Sequence, residues 1–244
     1  MEEKMPSLKK NLSGRVIFLL IIVITLSIAI YLAINNNVMK EDDVVKFLMQ
    51  DKNNLTKVLD KIDRLENSNY QKKIYKYYDE FITNDEFFIG NKDGEKIVIE
   101  FFDYNCGYCK RSFPELMELI SENKDVKVIL KELPVLGESS VLASKAAIAS
   151  KKQNKYFLMH QELMNLSGKI SINDIKDISE NIGINYEQLK SDMNKDETVL
   201  LIKESYRLAD LIGVRGTPAF IINKKLIPGA IGKDEILKIL KNDK

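Results

Sequence analysis

One stretch decides the fold of this chain: Lys96-Ile-Val-Ile-Glu-Phe-Phe-Asp-Tyr-Asn-Cys-Gly-Tyr-Cys109. Its first part is an apolar run of strand length, rich in β-branched and aromatic residues, and it ends in a C-x-x-C motif. Apolar residues then recur at helical spacing, at Phe113, Leu116, Met117, Leu119 and Ile120. The stretch therefore predicts a strand, a tight turn and a helix, with Cys106 at or just before the helix N-terminus.

A cysteine at a helix N-terminus faces free backbone N–H groups and the positive end of the helix dipole. This setting favours the thiolate, which is the reactive form of cysteine. The competing interpretations of Cys106 and Cys109 are half of a zinc site or two ordinary core cysteines. A structural zinc site needs four ligands, and the chain has two Cys and one His (His160), too few for such a site from Cys and His within one chain. The spacing therefore favours a redox pair.

The N-terminal region has the pattern of a membrane anchor. Residues 1–15 form a polar tail, and residues 16–34 contain no charged side chain over a length that can cross a hydrocarbon core of about 30 Å. The alternative is a cleaved secretory signal, although the apolar run is long for one. Basic residues precede the run, so the tail is expected in the cytoplasm and everything after residue 35 outside it.

The predicted location is therefore the bacterial inner membrane, with a single pass and the C-terminal domain in the periplasm. Both cysteines belong to the C-x-x-C motif, so the chain has no further cysteine for a structural disulfide. The net charge is +1, and the lysines are interleaved with acidic residues as on a solvated surface. Nothing in this composition indicates nucleic acid binding.

Residues 35–84 are predicted to form a helical stalk or oligomerisation segment. Within residues 38–66, five apolar side chains fit an a/d heptad pattern: Leu48, Leu55, Val58, Ile62 and Leu65. Two heptads are too few to identify a coiled coil. The helix either packs its apolar side on its own domain or brings copies of the chain together, and periodicity does not choose between the two.

Residues 85–244 are predicted to form the catalytic domain. A second strand at 125–133 completes a β-α-β unit, which implies parallel strands and a right-handed crossover. Residues from about 138 to 212 have helical patterns throughout. Residues 218–228 then predict two short antiparallel strands that turn at Asn223-Lys224, and residues 231–240 a final amphipathic helix.

With C-x-x-C after the first strand and Thr217-Pro218 before the hairpin, the chain resembles the DsbA family of thiol-disulfide oxidoreductases, in its Com1/ScsC-like branch. Three motifs carry the resemblance: Glu100-Phe-Phe-Asp-Tyr-Asn-Cys-Gly-Tyr-Cys-Lys110, Lys131-Glu-Leu-Pro-Val-Leu-Gly137 and Gly216-Thr-Pro-Ala-Phe220. The resemblance implies an α/β thioredoxin fold with a helical insertion, here preceded by a helical N-terminal segment and a transmembrane helix.

The resemblance also implies a role for each matching residue. Cys106 corresponds to the exposed nucleophile, and Cys109 to the buried cysteine that resolves the mixed disulfide. Pro218 corresponds to a cis-proline, which leaves the backbone of Thr217 free to pair with an extended substrate. The two residues between the cysteines tune the thiolate and the substrate fit: Gly107 and Tyr108.

Glu100 stands six residues before Cys106, where the superfamily places a buried acid that relays the proton of Cys109. The alternative is a charge at the edge of the sheet. Asp103, nearer the end of the strand, is expected to be solvated. His160 is expected to be a core histidine.

The implied function is a periplasmic thiol-disulfide oxidoreductase that forms or isomerises disulfides in exported proteins, with isomerase or reductase activity favoured. Gly-Tyr replaces the Pro-His of DsbA itself, which argues against a strongly oxidising potential. The implied partners are exported protein substrates, a membrane redox partner and further copies of the chain, as a trimer through residues 38–66. No cofactor and no metal are expected. The alternatives are a DsbA-like oxidase and a copper-binding or copper-tolerance thiol protein, since paired thiolates suit Cu(I).

Overall fold

The computed structural model of the chain describes residues 23–27, 40–83 and 87–242. The predicted tail, 1–15, lies outside the described residues. So does most of the predicted membrane span, 16–34, of which residues 23–27 are described and are helical. Within the three described ranges, no helix combines the length and apolar character needed to cross a membrane.

The described N-terminal part is helical. Helix α1 spans Glu41–Gln50 and helix α2 spans Lys52–Lys76. They are separated by Asp51, which has an extended backbone and whose carboxylate accepts a hydrogen bond of 2.9 Å from the Asn53 amide. Such a side-chain bond satisfies a free N–H at the start of a helix, so Asp51 ends one helix and begins the next.

The contacts within the chain define two compact units, which divide between Arg64 and Leu65. Among the described residues 40–64 of the first unit, most large apolar side chains are exposed rather than packed: Val44, Val45, Phe47, Met49, Leu55, Leu59 and Ile62. Two residues of the predicted heptad pattern, Leu48 and Val58, are half-buried. The predicted boundary between residues 84 and 85 lies outside the described residues and stays a prediction.

The second unit is built on a five-stranded sheet with the order β1-β3-β2-β4-β5. Its strands are β1 (Phe88–Gly90), β2 (Lys96–Phe102), β3 (Val126–Glu132), β4 (Ala219–Ile222) and β5 (Lys225–Pro228). The β2–β3 pair is parallel and the other pairs are antiparallel. This confirms the predicted β-α-β unit and the predicted hairpin.

The hairpin turns at the two predicted residues. Asn223 and Lys224 have φ angles of 48° and 58°, as a tight two-residue turn between twisted strands requires. The turn fixes β5 beside β4 and leaves β2 in the middle of the sheet.

Helix α4 (Gly107–Glu122) follows β2 and leads back to β3, and it contains Pro114. The short helix α3 spans Tyr78–Ile82, and α10 spans Lys233–Lys241. Between β3 and β4 lies the predicted insertion, which contains the helices α5 (Glu138–Ser150), α6 (Tyr156–Asn165), α7 (Ile172–Asn181), α8 (Tyr186–Asp192) and α9 (Asp196–Leu211), with a 3-10 turn at Lys151–Gln153. The thioredoxin-like arrangement with a helical insertion is therefore present.

Each face of the sheet is covered by a separate apolar core. Phe102 lies in the core that contains Cys109, Phe113 and Leu116 of α4. Phe101, the next residue along β2, points to the other face and joins a core with Ile74, Phe81 and residues of α9. Because β2 is buried on both faces, its end is a rigid support for the turn that follows.

Candidate active site

The C-terminal end of β2 and the N-terminal end of α4 position the cysteine pair. Cys106 has an extended backbone and is the N-cap residue of α4, and its amide donates a 3.0 Å hydrogen bond to the carbonyl of Asp103. The four-residue turn thus presents Cys106 at the first free N–H groups of the helix, as the sequence predicts.

Cys106 is 7% exposed, which is less open than the nucleophile that the sequence predicts. The reason is the loop before β4, because the Cys106 Sγ lies 3.2 Å from the carbonyl oxygen of Thr217. The Cys109 thiol, together with the Thr217 side chain and the backbone N–H groups of Tyr108 and Cys109, lowers the pKa of Cys106 to about 5. At neutral pH Cys106 is therefore a thiolate.

Cys109 lies one helical turn further along α4 and has no exposed surface. Burial is the main reason that its pKa lies far above the ordinary value for a thiol, and the hydrogen bond with Cys106 and the charge of Glu100 act in the same direction. Cys109 is therefore a protonated thiol that needs a base before it can react.

Glu100 is buried in β2, on the face of the sheet that carries α4. Burial, followed by the charge of Cys106, raises its pKa to about 8. The alternative position at the sheet edge is wrong, because β2 is the central strand. Glu100 is thus a buried acid beneath the cysteines that exchanges its proton near neutral pH.

The Thr217–Pro218 peptide bond is cis, as the resemblance implies. It directly precedes β4, which is paired with β2, so the loop lies against the end of the strand that leads to the cysteines. A cavity of about 270 Å³ is lined by this loop and by the end of β5, including Val214, Pro218, Leu226 and Pro228. This gives an open, largely apolar surface next to the Thr217 backbone.

The two residues between the cysteines differ in exposure and surroundings. A side chain at Gly107 would meet open space, so this position leaves room above the helix N-terminus. Tyr108 is 60% exposed, and the Arg111 guanidinium lies 4.2 Å from its ring centre. The cation holds the phenol ring at the rim of the site.

Asp103 is buried, so the expectation that it is solvated is wrong. Its carboxylate accepts hydrogen bonds from the amides of Asn105, at 2.7 Å, and Leu136, at 2.9 Å. These partners satisfy a carboxylate that would otherwise be costly to bury. Asp103 therefore joins the active-site turn to the loop after β3.

Sequence reasoning missed a further buried acid, Glu132, although it lies in the quoted Lys131–Gly137 motif. Its carboxylate accepts hydrogen bonds from three hydroxyl groups, those of Ser144 at 2.7 Å, Tyr104 at 3.0 Å and Tyr156 at 3.2 Å. Burial raises the pKa of Glu132 to about 8. An ionisable residue inside an apolar strand was the available signal, but its partners come from three separate elements.

His160 is a core histidine, which confirms the expectation. Its Nδ1 lies 2.9 Å from the Tyr104 hydroxyl, and the rings of Phe102 and Phe113 lie edge-on to it. Burial lowers the pKa of His160 to about 3, so the ring is neutral. In the part of the chain that the structure describes, no group of three or more His, Cys, Asp and Glu residues could hold a metal ion.

A family model described as DSBA-like thioredoxin domain matches residues 97–241. Among solved structures, a thioredoxin-like oxidoreductase from Silicibacter pomeroyi shares 35% identity, with a TM-score of 0.65 over 67% of this chain and 95% of that one. The thiol-disulfide exchange protein alpha-DsbA2 from Wolbachia pipientis shares 31% identity, with a TM-score of 0.66 over 70% and 94% of the two chains.

The catalytic domain of Proteus mirabilis ScsC shares 29% identity, with a TM-score of 0.64 over 71% of this chain and 97% of that one. Among curated proteins, 136 residues are 25% identical to the Na(+)/H(+) antiporter NhaA 1 of Salinispora arenicola. The chain spans only 21% of the length of that antiporter. The likeness to the antiporter is therefore confined to a fraction of that protein.

Proposed function

This chain belongs to the family of DsbA-like thioredoxin domains, a family of thiol-disulfide oxidoreductases, and we propose that it forms or isomerises disulfides in exported proteins. The observation that carries the proposal is the difference between the two thiols. Cys106 ionises readily because its surroundings lower its pKa to about 5, whereas Cys109 is a buried thiol whose pKa is raised by burial. One sulfur is ready to attack or leave, and the other is held in reserve.

The proposed exchange begins when the Cys106 thiolate attacks one sulfur of a substrate disulfide. A mixed disulfide forms, and the other substrate sulfur leaves as a thiolate that takes a proton from solvent. Cys109 then loses its proton and attacks the Cys106 sulfur, which releases the second substrate thiol. The substrate gains two electrons and the Cys106–Cys109 pair becomes a disulfide; the reverse sequence oxidises a substrate.

In this scheme the ionised form of Glu100 is the base that takes the proton of Cys109. Its support is its burial on the face beneath α4 and its pKa of about 8, which lets it change charge near neutral pH. Thr217 would hold the extended substrate through its backbone, next to Pro218. The rim formed by Gly107 and Tyr108 would contact the residues that flank the substrate cysteine.

We place this chemistry outside the cytoplasm, with residues 16–34 as a single-pass anchor in the bacterial inner membrane and the catalytic domain in the periplasm. The support is the uncharged run and the basic residues before it. A membrane redox partner would then keep the cysteine pair in its working state. Disulfides persist in exported proteins because the compartments outside the cytoplasm are oxidising.

We favour isomerase or reductase activity by an assembly of several copies of the chain, such as a trimer, through residues 38–66. Leu55 and Ile62, which fit the predicted heptad pattern, are exposed on α2. Apolar side chains repeated along an exposed helix are typical of a surface that another helix covers. The resemblance to the ScsC-like branch points the same way.

The activity is tested with the full chain in detergent micelles and with its Cys106→Ala variant. Catalytic amounts of each are mixed with scrambled ribonuclease in a glutathione buffer, and recovered ribonuclease activity is followed. Recovery that depends on Cys106 supports isomerisation. Oxidation of reduced ribonuclease without recovery supports a DsbA-like oxidase instead. If neither reaction depends on Cys106, the enzymatic proposal fails and copper binding becomes the alternative to test.

Self-association is tested separately by sedimentation of the same full chain. A Leu55→Glu and Ile62→Glu double variant should sediment as a smaller species because two charges replace apolar contacts. Leu200→Glu is the matched control, since Leu200 is exposed on α9 of the catalytic unit. Equal sedimentation of the double variant and the unmodified chain would contradict the role of residues 38–66.

A further inference from the structure

The side chain of Asn105, the residue just before Cys106, joins the active-site turn to the helical insertion. Its Nδ2 donates hydrogen bonds to the hydroxyl oxygens of Ser139, at 3.0 Å, and Ser140, at 2.9 Å. Its Oδ1 accepts a 3.3 Å hydrogen bond from the Ile170 amide. One side chain thus reaches the first turn of α5 and the segment before α7.

The partners of Asn105 are themselves held in place. The Ser139 hydroxyl donates a 2.7 Å hydrogen bond to the Ile170 carbonyl, so the two parts of the insertion are also tied to each other. Ser140 has no exposed surface and Ile170 is buried. We call Asn105, Ser139, Ser140 and Ile170 the Asn105 cluster. It is closed by hydrogen bonds that leave Asn105 little freedom.

Asp103 fastens the other end of the same turn. Its buried carboxylate accepts from the amides of Asn105 and Leu136, and Leu136 belongs to the loop that leads into α5. The turn from Asp103 to Cys106 is therefore attached to the insertion on both sides of its bend. A shift of the insertion would move the turn, and a loosened turn would move Cys106.

The position of Cys106 matters because its thiolate is stabilised by hydrogen bonds from neighbouring groups. The Cys109 thiol and the backbone N–H groups of Tyr108 and Cys109 all act on the Cys106 sulfur. Hydrogen bonds weaken steeply as distance grows or angles open. A small rotation at residue 105 would turn the sulfur away from these donors.

We propose that Asn105 is a positioning residue for the nucleophile, which uses Ser139, Ser140 and Ile170 of the insertion to hold Cys106 over the N-terminus of α4. This inference rests on the proposed thiol-disulfide exchange and names a role for the insertion in it. Without the Asn105 cluster, the fold would keep both cysteines but would not hold the thiolate on its donors.

The test is a pH titration of the Cys106 thiolate, followed by its ultraviolet absorbance, in the reduced full chain. Asn105→Ala and the Ser139→Ala and Ser140→Ala double variant should each raise the titration midpoint by roughly one pH unit. A triple variant that combines Asn105→Ala, Ser139→Ala and Ser140→Ala should have the same midpoint as Asn105→Ala alone, because all three side chains act through the same hydrogen bonds. At a pH close to the titration midpoint, the rate of disulfide exchange should also fall with the thiolate fraction.

Asn123→Ala is the matched control. The side-chain amide of Asn123 donates a 2.9 Å hydrogen bond to the Leu119 carbonyl at the far end of the same helix. The substitution therefore removes a comparable hydrogen bond without changing the active-site turn. The control should lower the free energy of unfolding and leave the titration midpoint unchanged.

If the Cys106 titration midpoint of Asn105→Ala equals that of the unmodified chain, the proposal is overturned. The Asn105 cluster would then only stabilise the fold. If Asn105→Ala does not fold, the double serine variant decides by the same criterion. The titration needs no substrate, so it can succeed or fail whether or not ribonuclease is turned over. Failure of this inference is thereby distinguishable from failure of the proposed function.

Discussion

Cys106, the N-cap residue of α4, and Cys109, three residues further along, have contrasting surroundings. Around Cys106, the Cys109 thiol, the Thr217 side chain and the backbone N–H groups of Tyr108 and Cys109 lower the pKa of the thiol to about 5. Around Cys109, apolar side chains and the carboxyl group of Glu100 raise the pKa well above its ordinary value. Identical side chains, one helical turn apart, thus have opposite protonation at neutral pH.

The difference in burial and in access to backbone N–H groups gives the two sulfurs different roles in the proposed reaction. The helix N-terminus supplies the same positive end to both, but only Cys106 lies where N–H groups are free to point at it. Cys109 lies on the buried side of the helix, where charge is costly. The sulfur of Cys106, here called the outer sulfur, is therefore the one proposed to attack the substrate. The sulfur of Cys109, the inner sulfur, depends on a buried base.

The largest expected effect comes from removing the outer sulfur. Cys106→Ser should reduce disulfide exchange to the uncatalysed background, because a hydroxyl at this position stays protonated and cannot form a mixed disulfide. The same variant should lose the thiolate titration near pH 5. Residual catalysis of ribonuclease refolding that remains in Cys106→Ser would mean that Cys109 can act alone.

Removing the inner sulfur should stop the reaction halfway. In Cys109→Ala, Cys106 can still attack a substrate, but no second thiol resolves the product, so a mixed disulfide accumulates at up to one per chain. Mass spectrometry under non-reducing conditions detects this adduct. In Cys106→Ala, used as the control, no adduct should form; adducts on both variants would show that the two sulfurs are interchangeable.

A smaller effect is expected from the buried base. Glu100→Gln should slow resolution of a preformed mixed disulfide roughly a hundredfold, the lower end of what general base catalysis contributes. Rapid mixing that follows release of the substrate thiol measures this step. The pH dependence of the rate should also disappear in the variant.

Glu95→Gln serves as the control for this prediction. Glu95 is exposed in the turn before β2, so its loss should leave both the rate and its pH dependence unchanged. Equal rates in Glu100→Gln and the unmodified chain would assign the proton of Cys109 to water instead.

The last expected effect is on the stability of the fold and not on the reaction. A carboxyl group at Glu100 keeps its proton in the folded chain up to about pH 8 but loses it near pH 4.5 when unfolded, so it lowers the stability of the fold as pH rises between these values. Cys106, whose pKa is lowered by folding, acts in the opposite direction. Relative to Glu100→Gln, the unmodified chain should lose roughly 3 to 5 kcal/mol across this interval.

Urea unfolding at a series of pH values measures this difference. The same comparison in a Cys106→Ala background removes the part of the difference that comes from the charge of Cys106. A constant difference in the free energy of unfolding across the interval would mean that the carboxyl group of Glu100 is not held protonated by burial.

Sequence patterns predict structure correctly where the residues that form an element are close together in the chain. The 96–109 stretch predicts strand β2, the turn and helix α4, and the Asn223-Lys224 pair predicts the hairpin. The resemblance added the cis bond at Pro218 and the burial of Glu100, which the structure bears out. These features depend on neighbours in sequence or on a shared family pattern.

Features that depend on distant partners were out of reach. Asp103 is buried because Leu136, far along the chain, supplies a hydrogen bond to its carboxylate. Glu132 is buried because α5, α6 and the turn after β2 bring hydroxyl groups to it. Cys106 is less open than expected because the Thr217 loop returns to it from the other end of the domain. The periodicity of apolar residues does not predict contacts between residues that are far apart in the chain.

Pro114 gives helix α4 two mechanical parts. A proline has no amide hydrogen, so the Lys110 carbonyl lacks its partner one turn ahead, and the first turn is joined to the rest of the helix by fewer hydrogen bonds. Leu116 and Leu119, beyond Pro114, are packed in the core. The turn that carries the cysteine pair is therefore coupled less tightly to the packed part of α4 than it would be in an uninterrupted helix.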